Sequence, residues 1–236
     1  MGKRKKSQGE CAYCGGKAEA IEHVIARQFY FGEAPQKHNI PRVPTCNNCN
    51  QQKQRSEDLA GVLLTLMSGE DTALDVANNR ISRTLNQNKK ILKLLETVKM
   101  KIRIGDTGKF EKVGLLEIPQ DSQDLLREFY LYLVKGMYKF ETGTRVPQKH
   151  SIALFYLTGN SYAKGLIDHV TSKIRLTVKE YALGEFKVAY AVEKEDTPDK
   201  ISSVWFVEFR NTSIYAVTHG IEDEQVLMNI DKWRWK

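Results

Sequence analysis

No run of about 18 apolar residues occurs anywhere in this 236-residue chain, so no segment reads as a membrane-spanning helix. The basic N-terminus, MGKRKKSQGEC, has no apolar stretch behind it, which argues against a secretion signal. Internal repeats and low-complexity tracts are both missing. Cysteine is scarce, with four residues in all, and every one lies between positions 11 and 49. Large apolar side chains are sparse over residues 11–55, too sparse for that segment to fold without a staple. These absences lead us to expect a cytoplasmic protein. In that compartment thiols stay reduced, and paired cysteines bind metal more often than each other.

The remainder of the composition suits a folded protein. Hydrophobic residues make up 41%, enough for a real core, and the length fits one medium domain or a small module beside a larger one. The formal charge is +7, and its distribution is uneven. Residues 1–55 carry 10 Lys/Arg against 4 Asp/Glu, and residues 71–104 carry 8 against 3. The second half has no positive excess. A polyanionic partner is therefore expected at the first 104 residues, although a merely solvated basic surface would look the same.

Periodicity divides the chain into a basic arm (1–10), a cysteine-bearing module (11–58), a basic helical connector (59–104) and an accessory region (105–236). Leu59, Val62, Leu63, Leu66 and Met67 recur at helical spacing from Ser56 onward. A second helix is expected from Asp71 to about Leu95, with Arg and Lys between its apolar positions. Two short strands follow at Lys99–Ile104 and Lys112–Ile118, then a helix from Asp121 to about Glu141. Further on come a strand, SIALFYL, and a short helix near Ser161–Val170. KIRLTVKEY, FKVAYAVE, VWFVEF and SIYAVTH then alternate like the strands of an antiparallel sheet. The class is α+β.

The strongest motif is Cys11-Ala-Tyr-Cys14 with Cys46-Asn-Asn-Cys49, two C-x2-C pairs separated by 31 residues. Each pair offers two thiolates, and four complete a tetrahedral structural zinc site with no open position. Gly15-Gly16 supplies a tight turn after the first pair. Free buried thiols or a disulfide are the weaker alternatives. Between the pairs lie Glu22-His23-Val24-Ile25, an acid and an imidazole side by side, and Asn39 ahead of the β-prone IPRVPT. Asn50 follows Cys49 directly, and Gln51-Gln52-Lys53 continues without a breaker.

Together, CAYC…EHVI…N…CNNCNQQK resembles the HNH endonuclease motif in its variant with two zinc-holding cysteine pairs. The resemblance covers residues 11 to about 55. It implies a ββα-metal fold, in which a hairpin and a helix grip one catalytic divalent ion, Mg²⁺ or Mn²⁺. It also implies DNA as substrate, cut by hydrolysis to leave 5′-phosphate and 3′-hydroxyl ends. His23 matches the general base, Glu22 and Asn50 match the ligands of the catalytic ion, and Asn39 matches the residue that ties down the loop orienting His23. Lys53 and Arg55, one turn further along the helix, are expected at the phosphate backbone. The sequence departs from the pattern in three places. The acid is Glu where Asp is more familiar, the last motif position is Asn and not His, and the run after His23 lacks the usual proline.

Three functions are compatible with this pattern: an HNH endonuclease, a non-catalytic zinc-held nucleic-acid-binding protein, and a defence or restriction effector whose residues beyond 105 regulate the nuclease. The charge fits any polyanion, RNA included. No signature distinguishes a monomer from a homo-oligomer. His38, beside Asn39, is within reach of a phosphate contact but is expected to be a loop histidine; His150, His169 and His219 have no partner by spacing, and the terminal DKWRWK is expected to pack Trp233 and Trp235 on the sheet.

Overall fold

The computed structural model describes residues 9–29, 39–68, 99–104, 110–156, 175–192, 201–209 and 212–220, with single positions at 89, 93, 96 and 172. The expected short helix near 161–170, His38, His169 and the terminal tryptophans lie outside the described residues. So does the expected basic helix after Asp71, apart from helical, solvent-exposed Lys89, Lys93 and Glu96.

Strand β1 (Ala20–His23) pairs antiparallel with β2 (Arg42–Thr45). Helix α1 (Asn47–Ser68) begins one residue after Cys46 and runs on for 22 residues. Its apolar period begins only at Ser56, and its first turns are polar residues that follow directly from the second cysteine pair. The module boundary drawn at residue 58 consequently falls inside one continuous helix. The boundary drawn at 104 falls between the two strands of a pair. Strand β3 (Lys99–Ile104) pairs antiparallel with β4 (Phe110–Glu117), so the cut would separate two halves of one ladder.

Helix α2 (Gln120–Thr142) follows. Pro119 precedes it at φ −56°, Asp121 sits in its first turn and Lys139 in its last, the charge order a helix dipole favours. Gly143, at φ +74°, closes it by donating its N–H to the Lys139 carbonyl. Strands β5 (His150–Tyr156), β6 (Thr177–Tyr181), β7 (Phe186–Val192), β8 (Ile201–Phe209) and β9 (Thr212–Gly220) form one antiparallel sheet in the order β5-β9-β8-β7-β6. The α+β class is as expected from the sequence, and each expected strand of the second half lies in this sheet.

One hydrophobic core joins the cysteine module, α2 and the sheet. Phe29, from the short turn Arg27–Phe29, is its joint. Its ring stacks on Phe129 of α2 at 5.3 Å and meets Phe209 of β8 edge-on at 5.5 Å. Trp205 of β8, fully buried, stacks on Tyr190 at 4.8 Å and tilts against Tyr138 of α2. The sheet's opposite face holds a separate small cluster of Val204, Tyr215 and Val217. The region beyond residue 105 is thus packed into the cysteine module rather than appended to it.

Two close approaches fix this packing. At Gly136 of α2 a Cβ would lie 2.8 Å from Val24, so only glycine lets the helix come this near. At the helix's C-terminal end, Glu141 is 2% exposed and accepts hydrogen bonds from Lys179, Tyr181 and, at 2.6 Å, Tyr190. Burial pushes this carboxyl up, but the bonds from Lys179, Tyr181 and Tyr190 outweigh it and hold it below its ordinary value.

Two outcomes follow. Gly136→Ala gains helix propensity worth up to about 1 kcal/mol but overpacks against Val24 at a cost of about 1–3 kcal/mol. Net destabilisation is expected in urea titrations, and adding Val24→Ala should return part of it. Because Glu141 is depressed in the folded state, its stabilisation is complete above the unfolded carboxylate value and fades as pH falls through the lower folded one. Urea midpoints measured between pH 6 and pH 3 should drop, and Glu141→Gln should flatten that acid limb.

Candidate functional site

The four cysteine sulfurs lie within 4.8 Å of one another. Cys11 and Cys49 are buried, Cys46 is half-buried and Cys14 is exposed. The Cys14 and Cys46 Sγ atoms are 3.7 Å apart. A disulfide needs about 2.05 Å, so none is formed. A tetrahedron of thiolates about 2.3 Å from zinc has edges of about 3.8 Å, which this spacing fits.

The local backbone explains why the sequence makes this cage. In the first knuckle the Cys11 N–H donates to the Gly16 carbonyl at 2.7 Å, and Gly15 turns the chain at φ +76°. The Gly16 N–H then points at Cys14 Sγ, 3.4 Å away, and the Cys49 N–H at Cys46 Sγ, 3.5 Å away. Such N–H groups stabilise sulfur in its thiolate form. Burial raises the Cys11 thiol, but hydrogen bonds from the backbone at Cys14, Cys46 and Tyr13 bring it down to about 7. Cys49 is pushed up by burial and by the neighbouring sulfurs. The set therefore ionises fully only when a cation joins it. These four residues can hold a metal such as zinc.

Beside the cage, β1 and α1 carry the other candidate residues. Lys53 of α1 is 3% exposed. Its Nζ donates to the His23 carbonyl at 2.9 Å and pairs with Glu57 one turn on. Glu57 also accepts the Ala26 N–H at 3.0 Å, and burial raises its carboxyl. The chain through His23 to Ala26 is therefore bolted along α1. Asn50, three residues before Lys53, lies on the same helix face one turn nearer the cysteines. It is half-buried, and its N–H closes the first turn on the Cys46 carbonyl at 3.0 Å.

Glu22 is half-buried on the strand face it shares with buried Ala20, across from buried Val43. Among the described residues its carboxylate has no hydrogen bond or ion pair, and neither does the Asn50 side-chain amide.

His23 takes the other face of β1. Its Nε2 accepts from Arg42 Nε at 3.0 Å and from Arg27 Nε at 3.3 Å. With Nε2 accepting, the neutral ring would carry its proton on Nδ1. Burial, then the charges of Arg42, Arg27 and Lys53, lower it to about 4.

Two expectations need correction. The Lys53 ammonium was expected on phosphate. It is buried and committed to Glu57 and to the His23 carbonyl, because a half-turn of α1 points it into the module. Arg55 is exposed, and its charge acts on Glu128 of α2. Asn39 is exposed and makes no side-chain bond among the described residues. The loop it was expected to tie is held by Val24 N–H on the Pro41 carbonyl, 2.9 Å, together with Lys53. The sequence reading overlooked Arg27, Arg42 and Glu57. Arg42 sat inside a stretch read only as β-prone, and nothing in the linear order placed it opposite His23.

Replacing Cys46 with Ser is expected to release the metal and lower the melting temperature of the full chain. Elemental analysis should find about one tightly bound zinc per wild-type chain and markedly less in the variant. Unchanged zinc content would contradict the four-sulfur cage.

Compared with protein-family models, curated proteins and solved structures, the chain matches none of them.

Proposed function

We propose that this protein is an HNH-type, divalent-metal-dependent endonuclease acting on DNA. The observation carrying the reading is the arrangement around the sulfur cage: a two-stranded pair and a helix, with Glu22-His23 on the first strand and Asn50 on the first helical turn. A hairpin followed by a helix is what the resemblance of residues 11–55 implies, and this order of elements supports the reading.

Zinc on the four cysteines is structural in this reading, since a closed thiolate set leaves no position for substrate. Glu22 and Asn50 would hold Mg²⁺ or Mn²⁺, which supplies charge neutralisation for the phosphodiester. His23 takes the proton from the attacking water. Its neutrality near pH 7 leaves it able to accept. Neighbouring strand side chains leave opposite faces, so the reading requires the ion to sit at the end of β1, where His23 is the last strand residue. There Lys53 and Glu57 hold the backbone still.

A specific observation favours a second reading. His23 Nε2 is already engaged by two arginines, and its basicity is low. Both features suit a zinc-held DNA-binding protein that does not cut. A defence or restriction role would fit either reading, with the packed α2 and sheet as the part that regulates.

Plasmid cleavage with added Mg²⁺ or Mn²⁺ separates the two readings. Wild type is expected to nick supercoiled DNA, and His23→Ala to lose nicking by about 100-fold or more while still binding. A His23→Ala variant that cuts normally would remove the base assignment. A wild-type protein that binds without cutting under any metal would favour the second reading.

A further inference from the structure

We propose that Arg27 and Arg42 are a paired clamp for one DNA phosphate, and that a bound phosphate lifts them from His23. The inference deepens the nuclease reading and rests on it for the identity of the polymer.

The geometry starts with register. Arg42 is the cross-strand partner of His23 in the β1–β2 ladder, so the two side chains share a face. Arg27 lies four residues beyond His23, on the turn that Phe29 pins into the core. Both arginines are exposed. Their Nε atoms converge on a single nitrogen at 3.0 and 3.3 Å, so they lie no more than about 6.3 Å apart. Two guanidinium charges so close repel each other, and among the described residues neither has a carboxylate partner. Lys53 offers no relief, being a cation already matched by Glu57.

An anion seated between the two forks removes the repulsion. Each guanidinium keeps four Nη–H donors beyond the Nε–H given to His23, and planar forks match phosphate oxygens. A charged oxygen is also a stronger acceptor than a neutral ring nitrogen, by roughly a factor of two per bond. Transfer of both guanidiniums to the phosphate frees the Nε2 lone pair, the atom the base needs. Substrate binding and exposure of the base then become one event. No bond is made or broken in that step. The clamp positions the phosphate and does not itself react. It also takes the role expected of Lys53, which is buried.

The test is binding of a fluorescent DNA duplex to full-length, zinc-loaded protein, without added divalent metal, across a salt series. Arg27→Gln/Arg42→Gln is expected to weaken binding by about 10- to 100-fold. The slope of log affinity against log salt should become shallower by about one to two. Arg27→Lys/Arg42→Lys keeps both charges and loses the forks. It should restore the wild-type slope with affinity between the other two. His23→Ala removes the nitrogen that the phosphate must displace and keeps both arginines, so it should bind more tightly than wild type with the same salt slope; binding no tighter than wild type would overturn the displacement.

An unchanged affinity and slope in the glutamine pair would overturn the clamp, as would a lysine pair no better than the glutamine pair, or a wild type that binds no duplex. Zinc content and circular dichroism of each variant confirm that it is folded. Cleavage is scored separately: a wild type that never cuts ends the nuclease reading, while the binding series still decides the arginines.

Discussion

Four sulfurs within 4.8 Å of one another carry more negative charge, once ionised, than a partly buried pocket tolerates. A single cation satisfies all four, and that requirement ties residue 11 to residue 49. Every other part of the candidate site inherits its position from this tie. The second cysteine pair sets the first turn of α1, which puts Asn50 at its start and Lys53 one turn on. The 31 residues between the pairs are drawn back on themselves, so β1 and β2 meet in register and His23 comes opposite Arg42.

A second constraint acts along α1. Its inner face bears a buried cation and a buried carboxylate, a costly pair to desolvate unless geometry satisfies both. Here it does. Lys53 and Glu57 bond each other and also the backbone at His23 and Ala26. The pair fixes the peptide chain from His23 to Ala26. Removing one partner would leave the other buried and unmatched. The side chain that resembles a substrate contact in linear order is thus a scaffold bolt, while Arg27, Arg42 and Arg55 face solvent.

The accessory region takes part in the same architecture. Glycine at 136 lets α2 press on Val24, the residue immediately after His23. Arg145 covers Gly15, with its Nη1 3.5 Å from the Cys14 carbonyl. Phe29 reaches from the turn bearing Arg27 into both α2 and the sheet. A change in the sheet would therefore be felt at the cysteine-bearing turn and at the arginine pair through direct packing. This gives physical content to the idea of a regulating second half.

Much of this was legible in the linear order. Two C-x2-C pairs specify their own chemistry, because thiolate number and spacing limit the geometry to a four-sulfur cage. Alternation over KVAYAV and VWFVEF signals strands, since side-chain period and sheet pleat are the same thing. The period of 3.6 marks α2 from its apolar stripe. The start of α1 rests on the second cysteine pair rather than on hydrophobic period, which begins only at Ser56. Which face a side chain takes was decided only in three dimensions. Lys53 and Arg55 are two residues apart and look equivalent in sequence, yet about 200° of helix rotation buries one and exposes the other. The meeting of Arg27, Arg42 and His23 needs a strand register and a turn together, and no local pattern encodes a contact between residues 23 and 42.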